Sequence, residues 1–313
     1  MKLEPIIPFE PISVTLIPSG EQWIGQVKWD GVRMLLYYDG DQVRLVNRRL
    51  NDRTIQYPEL QQIEQFCTAA SAILDGELIA LDHGKPSFHQ IMRRDQAHKS
   101  SAIPALVKEV PVTYMIFDVL YVNGNWVTDF PLRQRQQLLE SIVCPGSVVQ
   151  LVSSTPDAAA LYGVVEAHGL EGVVVKDLDS PYMIDGKDDR WRKKKNIHDL
   201  NAVVGGVTYR DKQVNALLLG LYDAEGKLWY IGHAGAGKLN AENWASLTRL
   251  ADELKVEQRP FVNMPERSKE AVWLRPQLTV KVNYLQWTRH QSLRQPSIQA
   301  ITQTNPKACT FGQ

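Results

Sequence analysis

The chain is poor in cysteine and carries no excess of either charge. Cys67, Cys144 and Cys309 lie far apart, and none has the spacing of a metal-ligand pair. A sparse, odd count of this kind suits a reducing compartment rather than a disulfide framework. Lys plus Arg and Asp plus Glu number 35 each, so net charge argues for no polyanionic or polycationic partner, and only local clustering can. Met1-Lys2-Leu3-Glu4-Pro5 lacks the apolar centre of a secretion signal. No apolar run approaches the length of a membrane span. These absences lead us to expect a cytoplasmic protein with no membrane partner. What is present is ordinary globular composition: 313 residues, 44% apolar and 22% charged, enough for one large domain or two modest ones.

The pattern along the chain is α+β, without βαβ regularity or repeats. Residues 22–28, 32–38 and 42–47 run apolar or alternate between Asp-Gly turns and predict an antiparallel meander. A helical pattern opens at Pro58 and runs over 58–70. Strands are expected at 72–75 and 77–81 around Asp75-Gly76, then at 112–121 and 172–176. Helices are expected over 88–97, 131–143 and 156–168, the last closing on Gly169. After Lys195 the texture changes. Asn196-Ile197-His198-Asp199 reads as a short polar linker. Strand-like runs follow at 202–209, 214–222 and 227–232, then a helix near 240–254 and a last strand at 278–287. Strands, one helix and Gly-rich turns in about a hundred residues fit a small closed barrel such as an OB-fold. The expected division is a domain of antiparallel sheets and helices over 1–197 and an OB-fold β-barrel domain over 198–313.

Several residues stand out chemically. Lys28-Trp29-Asp30-Gly31 ends the apolar run Trp23–Val27. A lysine used as a nucleophile must be neutral, which takes desolvation or neighbouring cations; Arg33, Arg48, Lys193 and Lys195 can supply the latter if the strands converge. Gln26 lies two residues earlier, on the same strand face. Glu77 interrupts an apolar strand, where a carboxylate needs a partner. Glu171 stands at the mouth of a three-valine strand and offers a hard oxygen to Mg²⁺, although an acid at a helix-to-strand turn would look the same. Trp191-Arg192-Lys193-Lys194-Lys195 is a charge run. Alternation puts Lys193 and Lys195 on one face, and leaves Arg192 and Lys194 facing solvent or nucleic acid. Arg33 and Arg48 read equally as solvated strand arginines, Phe117 as core, and Lys176 as an exposed strand-end lysine.

Taken in order, Lys28-Trp29-Asp30-Gly31, Asn47-Arg48-Arg49, Asp75-Gly76-Glu77-Leu78, Phe117-Asp118-Val119, Glu171-Gly172-Val173-Val174-Val175-Lys176 and Trp191–Lys195 resemble the nucleotidyltransferase motifs of ATP-dependent DNA ligases, most of all the ligase domain of bacterial DNA ligase D. The resemblance covers nearly the whole chain. It implies an adenylation domain followed by an OB-fold domain, with ATP and Mg²⁺ (or Mn²⁺) as cofactors and nicked double-stranded DNA as substrate. DNA end-binding repair proteins are the implied partners in an end-joining setting. It makes Lys28 the nucleophile that forms a lysyl–AMP phosphoamide, with Lys193 and Lys195 on the α-phosphate. It assigns Arg33 and Arg48 to phosphates, Phe117 to stacking on adenine, Glu77 to the ribose and metal, and Glu171 to the metal. Asp30 has a supporting role. Gln26 stands where this group usually has Glu against the adenine amino group; its carbonyl oxygen can still accept from an amine.

A second departure follows Leu293-Arg294-Gln295-Pro296-Ser297. Where the group carries R-x-D-K, this chain reads Thr302-Gln303-Thr304-Asn305. The missing cations predict slow self-adenylation with near-normal sealing. Two other readings remain open at this point: an RNA ligase or capping-type nucleotidyltransferase built on the same K-x-D-G core, and a weakly active module that binds DNA nicks or ends.

Overall fold

The computed structural model describes residues 3–97, 99–266, 268–288 and 290–313. The chain divides into two compact units, Met1–Asn196 and Ile197–Gln313.

The first unit contains strands β1 (Ile12–Ser13), β2 (Trp23–Val27), β3 (Val32–Tyr38), β4 (Val43–Asn47), β5 (Ala72–Asp82), β6 (Lys85–Pro86), β7 (Val112–Val122), β8 (Asn125–Trp126), β9 (Val149–Leu151), β10 (Ser154–Thr155), β11 (Gly172–Asp177) and β12 (Trp191–Lys195). Its helices are α1 (Phe88–Asp95), α2 (Ile103–Glu109), α3 (Leu132–Ile142) and α4 (Ala158–Ala167). The strands form two sheets. One has the order β1-β12-β11-β2-β10; the other has β4-β3-β5-β7-β8, with β6 on β5 and β9 on β7.

The meander expected over residues 22–47 is therefore only half present. β3 and β4 pair antiparallel, but β2 belongs to the other sheet, between β11 and β10. Lys28-Trp29-Asp30-Gly31 is the crossing from one sheet to the other. Gly31 is needed there: a Cβ would lie 2.1 Å from the Leu78 carbonyl oxygen.

Three apolar layers follow. Met34, Leu36, Leu74, Leu78, Tyr114 and Ile116 pack one face of the larger sheet with Ile91 and Leu139 of α1 and α3. Trp23, Val173 and Val175 cover the outer face of the smaller sheet with Ala158 and Val165 of α4. Between the sheets, Leu35, Tyr37 and Ile73 meet Trp191, Tyr182 and Phe9.

The helix expected over 58–70 is instead a pair of 3₁₀ turns, Pro58–Leu60 and Ile63–Gln65. The buried residues explain this. Tyr57, Leu60, Ile63 and Phe66 recur every third position, the period of a 3₁₀ helix rather than an α-helix. The two strands expected around Asp75-Gly76 are one continuous strand. Gly76 gives way to the Tyr114 ring, whose edge would lie 2.5 Å from a Cβ, and Asp75 is fully buried against a partner described below. Helix α2 was not anticipated.

The second unit has β13 (His198–Arg210), β14 (Gln213–Tyr222), β15 (Leu228–Ala234), α5 (Ala241–Leu254), β16 (Val272–Tyr284) and β17 (Ser297–Thr302). β13 starts at His198, so the linker is shorter than the expected 196–199. The strand order is β15-β14-β13-β16-β17. Parallel contacts between the β15 exit and β17 close the ring: Ile298 N donates to Ala236 O at 2.9 Å, and Lys238 N to Ile298 O at 2.8 Å. Five strands in this order, with a helix between the third and fourth, are an OB-fold barrel. Asn240 opens α5 through a reciprocal capping box with Asn243.

β16 begins six residues before the expected 278 and ends at Tyr284, and β17 lies beyond the strand expected to be last. Pro276 hid the early part. It falls where the pairing with β13 shifts register between Gly206–Trp273 and Val204–Leu278, and an irregular register is where a strand tolerates a residue without an N–H.

Candidate active site

The crossing peptide places Lys28 just past the end of β2, which lies inside the smaller sheet between β11 and β10. Its backbone N–H donates to Gly172 O at 2.9 Å, which ties the end of β2 to the start of β11. Gly172 has φ 149° and a Cβ there would lie 2.2 Å from Lys194 O, so glycine is required for β12 to approach. Asn196 N then donates to Glu171 O at 2.9 Å. These ties bring Lys28, Glu171 and Lys195 together. Lys28 Nζ lies 2.6 Å from Glu171 Oε2, and Lys195 Nζ lies 3.4 Å from Oε1. Glu171, expected as a metal ligand, thus gives both oxygens to lysines.

Alternation orders the rest of this sheet. Gln26 is in register with Val174, and Val174 with Lys193; Gly172 is in register with Lys195. Gln26, Lys193 and Lys195 accordingly share the face of Lys28. Burial, then Lys28 and Lys195 as neighbouring cations, lowers the pKa of Lys193. Gln26 is buried, and its Nε2 donates to Ser154 Oγ at 3.0 Å. That bond leaves its carbonyl oxygen as the group available to a donor. Arg192 and Lys194 point the other way but do not stand free for nucleic acid. Arg192 lies 4.5 Å over the Trp23 ring and pairs with Asp189, and Lys194 lies 4.1 Å over Tyr162. Arg190 pairs with Asp188 at 2.9 Å.

The larger sheet supplies Glu77, Arg33 and Phe117. Arg33 and Glu77 are directly opposed across β3 and β5. Glu77 feels Lys28, Arg33 and Glu171; burial pushes its carboxyl up to about 7 against the pull of the two cations. Arg33, expected to face a phosphate, is held here by a carboxylate. Its Nε and Nη2 grip the two oxygens of Asp75 at 2.7 and 2.6 Å. Burial opposes its charge, and Asp75 outweighs that and holds it protonated. Tyr182 completes the network by donating to Asp75 Oδ2 at 2.8 Å and accepting from Phe9 N at 2.9 Å. A fork already committed in a fixed bidentate pair has little left for a ligand. What Arg33 does offer is a cation 4.8 Å over the Phe117 ring. Arg48 stands at the rim, exposed, 3.5 Å from Glu10; Lys187 approaches the same carboxylate at 4.0 Å.

Phe117 is the extra residue of a bulge. β5 pairs Asp75 with Asp118 but Gly76 with Ile116, so Phe117 has no opposite number. Bulges re-aim side chains beside functional sites. Behind it, Asp118 is locked by Arg135 through bonds of 2.8 and 2.9 Å, both side chains fully buried.

Lys176 is the largest surprise. It is 2% exposed, not a solvated strand-end lysine. Its Nζ has no hydrogen-bond partner and lies 3.9 Å from the Trp191 ring centre and 4.2 Å from that of Phe117. Its register with Trp191 could have signalled the inward direction, since Trp191 is core. Tyr182 and Ser154 were not singled out from sequence, and Asp75 was quoted only as part of Asp75-Gly76-Glu77-Leu78, with no role given; each acts through another residue.

Two sheets thus bring three lysines, two carboxylates, a buried amide and an aromatic ring to one edge of the first unit, an arrangement suited to a lysine-centred transfer of a phosphorylated nucleotide. The chain belongs to the ATP-dependent DNA ligase family: residues 8–195 match the ATP dependent DNA ligase domain, and residues 210–304 match the ATP dependent DNA ligase C terminal region. Among its relatives, the multifunctional non-homologous end joining DNA repair protein LigD of Mycobacterium tuberculosis is 31% identical over 286 residues, covering 89% of this chain and 36% of that protein. A probable DNA ligase of Streptomyces avermitilis is 35% identical, over 82% of this chain and 50% of its own length. The chain therefore spans about a third to a half of these curated relatives. A solved structure of mycobacterial DNA ligase D complexed with ATP and MES matches with TM-score 0.56 and 28% identity, over 97% of this chain and 98% of that one. Among the described residues, no helix is long and apolar enough to cross a membrane.

Proposed function

We propose that this chain is an ATP-dependent DNA ligase that seals nicks in double-stranded DNA through a lysyl–AMP intermediate. The observation that carries the reading is Lys28, held at a sheet crossing with its amine 2.6 Å from Glu171 and Lys195 on the same carboxylate. Lys28 Nζ, having lost a proton, attacks the α-phosphorus of ATP. The bond to the bridging oxygen breaks and pyrophosphate leaves. An oxygen of the 5′-phosphate at the nick then attacks the same phosphorus, the P–N bond breaks, and Lys28 recovers its proton. Finally the 3′-hydroxyl attacks the 5′-phosphorus and expels AMP. Chemistry of this kind rests on positioning and charge neutralisation.

Lys193 and Lys195 neutralise the α-phosphate. Gln26, fixed by Ser154, accepts from the adenine amino group. Phe117 stacks on the base, and Arg33 acts as a positioning residue under that ring rather than as a phosphate ligand. Arg48, at the rim, suits a DNA or nucleotide phosphate. Mg²⁺ is commonly held by one or two carboxylates together with substrate phosphates and water; Glu77 and Glu171 would hold it here, or Mn²⁺, once Lys28 and Lys195 turn from the Glu171 oxygens to the nucleotide phosphate. When bound, the ion would offset phosphate charge. Thr302, Thr304 and Asn305, in place of expected cations, make self-adenylation the slow step relative to sealing of pre-adenylated nicks. The names of the relatives extend the reading to non-homologous end joining; DNA end-binding repair proteins as partners and a cytoplasmic setting complete it.

The test is incubation with ATP and magnesium followed by intact-mass measurement. One AMP adduct is expected, absent from Lys28→Ala and from GTP incubations, together with sealing of nicked DNA but not nicked RNA. A normal adduct on Lys28→Ala would overturn the assignment, and an adduct with GTP or preferential RNA sealing would favour the capping-type or RNA-ligase reading.

A further inference from the structure

The second unit carries a row of rings that the ligase reading does not use. His198 and Tyr284 lie 5.6 Å apart between centroids, Tyr284 and Trp287 5.8 Å, and Trp287 and Phe311 5.9 Å. The row is assembled from the start of β13, the end of β16 and the chain's C-terminal tail. Its outer members are not core: Trp287 is 38% and Phe311 43% exposed. Yet their backbones are pinned. Trp287 bridges to Leu293, which is buried, and Thr288 N donates to Ser292 O at 2.8 Å across the intervening turn. The tail is tied down by Gln313, whose side chain accepts from Asn201 N at 3.0 Å and donates to Asn201 O at 2.8 Å.

Charge points to the occupant. The chain as a whole is neutral, but residues 271–313 contain Arg275, Lys281, Arg289, Arg294 and Lys307 and no Asp or Glu. The segment that supplies three of the four rings therefore carries positive charge only, although Lys281 is paired with Asp199 at 2.8 Å and Lys307 lies 4.3 Å over the Tyr222 ring. Exposed rings on a pinned backbone, set in a segment of one positive sign, match a ligand with flat π-faces on an anionic backbone. Paired bases in a duplex are stacked on one another and present edges, not faces; unpaired bases present faces.

We propose that this row is a stacking platform for the unpaired bases of single-stranded DNA, such as an overhang or gap. Binding there is independent of Lys28 chemistry, so the two readings fail separately. The probe is a dye-labelled oligothymidine of about a dozen nucleotides, within the range one such barrel spans, titrated with the full-length chain and read by fluorescence anisotropy. The wild type should bind with an affinity that falls steeply with salt. Trp287→Ala and Phe311→Ala should each weaken it by about tenfold, as expected for loss of one stacked base, while Trp287→Phe keeps most of it. Affinity for a fully paired nicked duplex and sealing of that nick should hold within about twofold of wild type. Should Trp287→Ala fail to fold by circular dichroism, Phe311→Leu, at an exposed tail position, decides alone. No binding of the oligonucleotide by wild type, unchanged binding by folded variants, or equal loss on oligonucleotide and paired duplex would each overturn the proposal.

Discussion

Replacing Lys176 with methionine should stabilise the protein, and the gain should depend on pH. Burial pushes the Lys176 ammonium down from 10.5 to about 7, with Asp118 the leading opposing influence. An unfolded lysine binds its proton up to about pH 10.4. Between the two values the unfolded chain therefore holds more protons than the folded one, and stability rises with pH across that window. At pH 7 the shift corresponds to about 4 kcal/mol against folding. The two rings beneath Nζ return roughly 2 kcal/mol. Lys176→Met, which keeps the chain length and removes the charge, should then gain about 2 kcal/mol at pH 7. The advantage should shrink by about 2 kcal/mol by pH 9, because the wild type gains stability with pH and the variant does not. Urea unfolding at several pH values measures this, with midpoints converted through a common slope. A destabilised variant, or a difference that does not change between neutral and alkaline pH, refutes the reasoning. A residue this unfavourable persists where a site uses it, so the same variant should form the AMP adduct more slowly.

Glu171→Ala should raise the magnesium needed for half-maximal adduct formation by about tenfold or more, as read from a metal titration; an unchanged titration removes Glu171 from the metal site. Glu77, pushed up to about 7 by burial, binds a proton in the folded state at pH values where the unfolded carboxyl has lost it. Stability is therefore complete below the unfolded value of 4.5 and falls as pH rises to about 7; thermal melts of Glu77→Gln should lack that fall. Asp118→Asn breaks a fully buried pair and leaves Arg135 uncompensated, so the chemical-denaturation midpoint should drop by the equivalent of about 3 kcal/mol, while Asp118→Asn with Arg135→Met should recover part of it.

How far the sequence could be read depended on whether a residue's role was local. Lys28 and Glu171 were legible because each is fixed by its own short stretch: a strand end followed by Asp30-Gly31, and an acid before Gly172 and a buried strand. Lys193 and Lys195 were legible because two-residue alternation decides which face a strand residue joins. The grip of Arg33 on Asp75 was missed because Asp75 lies on another strand, beside Gly76. Only the pairing of β3 with β5, and the Tyr114 ring over Gly76, reveal why an Asp-Gly pair sits inside a strand. Lys176 was misread for the same reason. An exposed and a buried strand-end lysine have the same local sequence, and the difference lies in Phe117 and Trp191, which come from two different sheets.

The same distinction separates the barrel's topology from its surface. Strand content and one helix were enough to suggest a small closed barrel, since closure follows from local patterning and the need to leave no open edge, although β17 was not among the strands read. The row from His198 to Phe311 was not visible, because its members are separated by up to 113 positions in the chain and none belongs to a periodic pattern. An alternating run reports only which residues face the core. Exposed aromatics between such runs leave no periodic trace, so they emerge only when the barrel closes and brings the start of β13, the end of β16 and the tail side by side. Function carried by a motif on one strand can be found before the fold is known; function carried by the meeting of distant strand ends cannot.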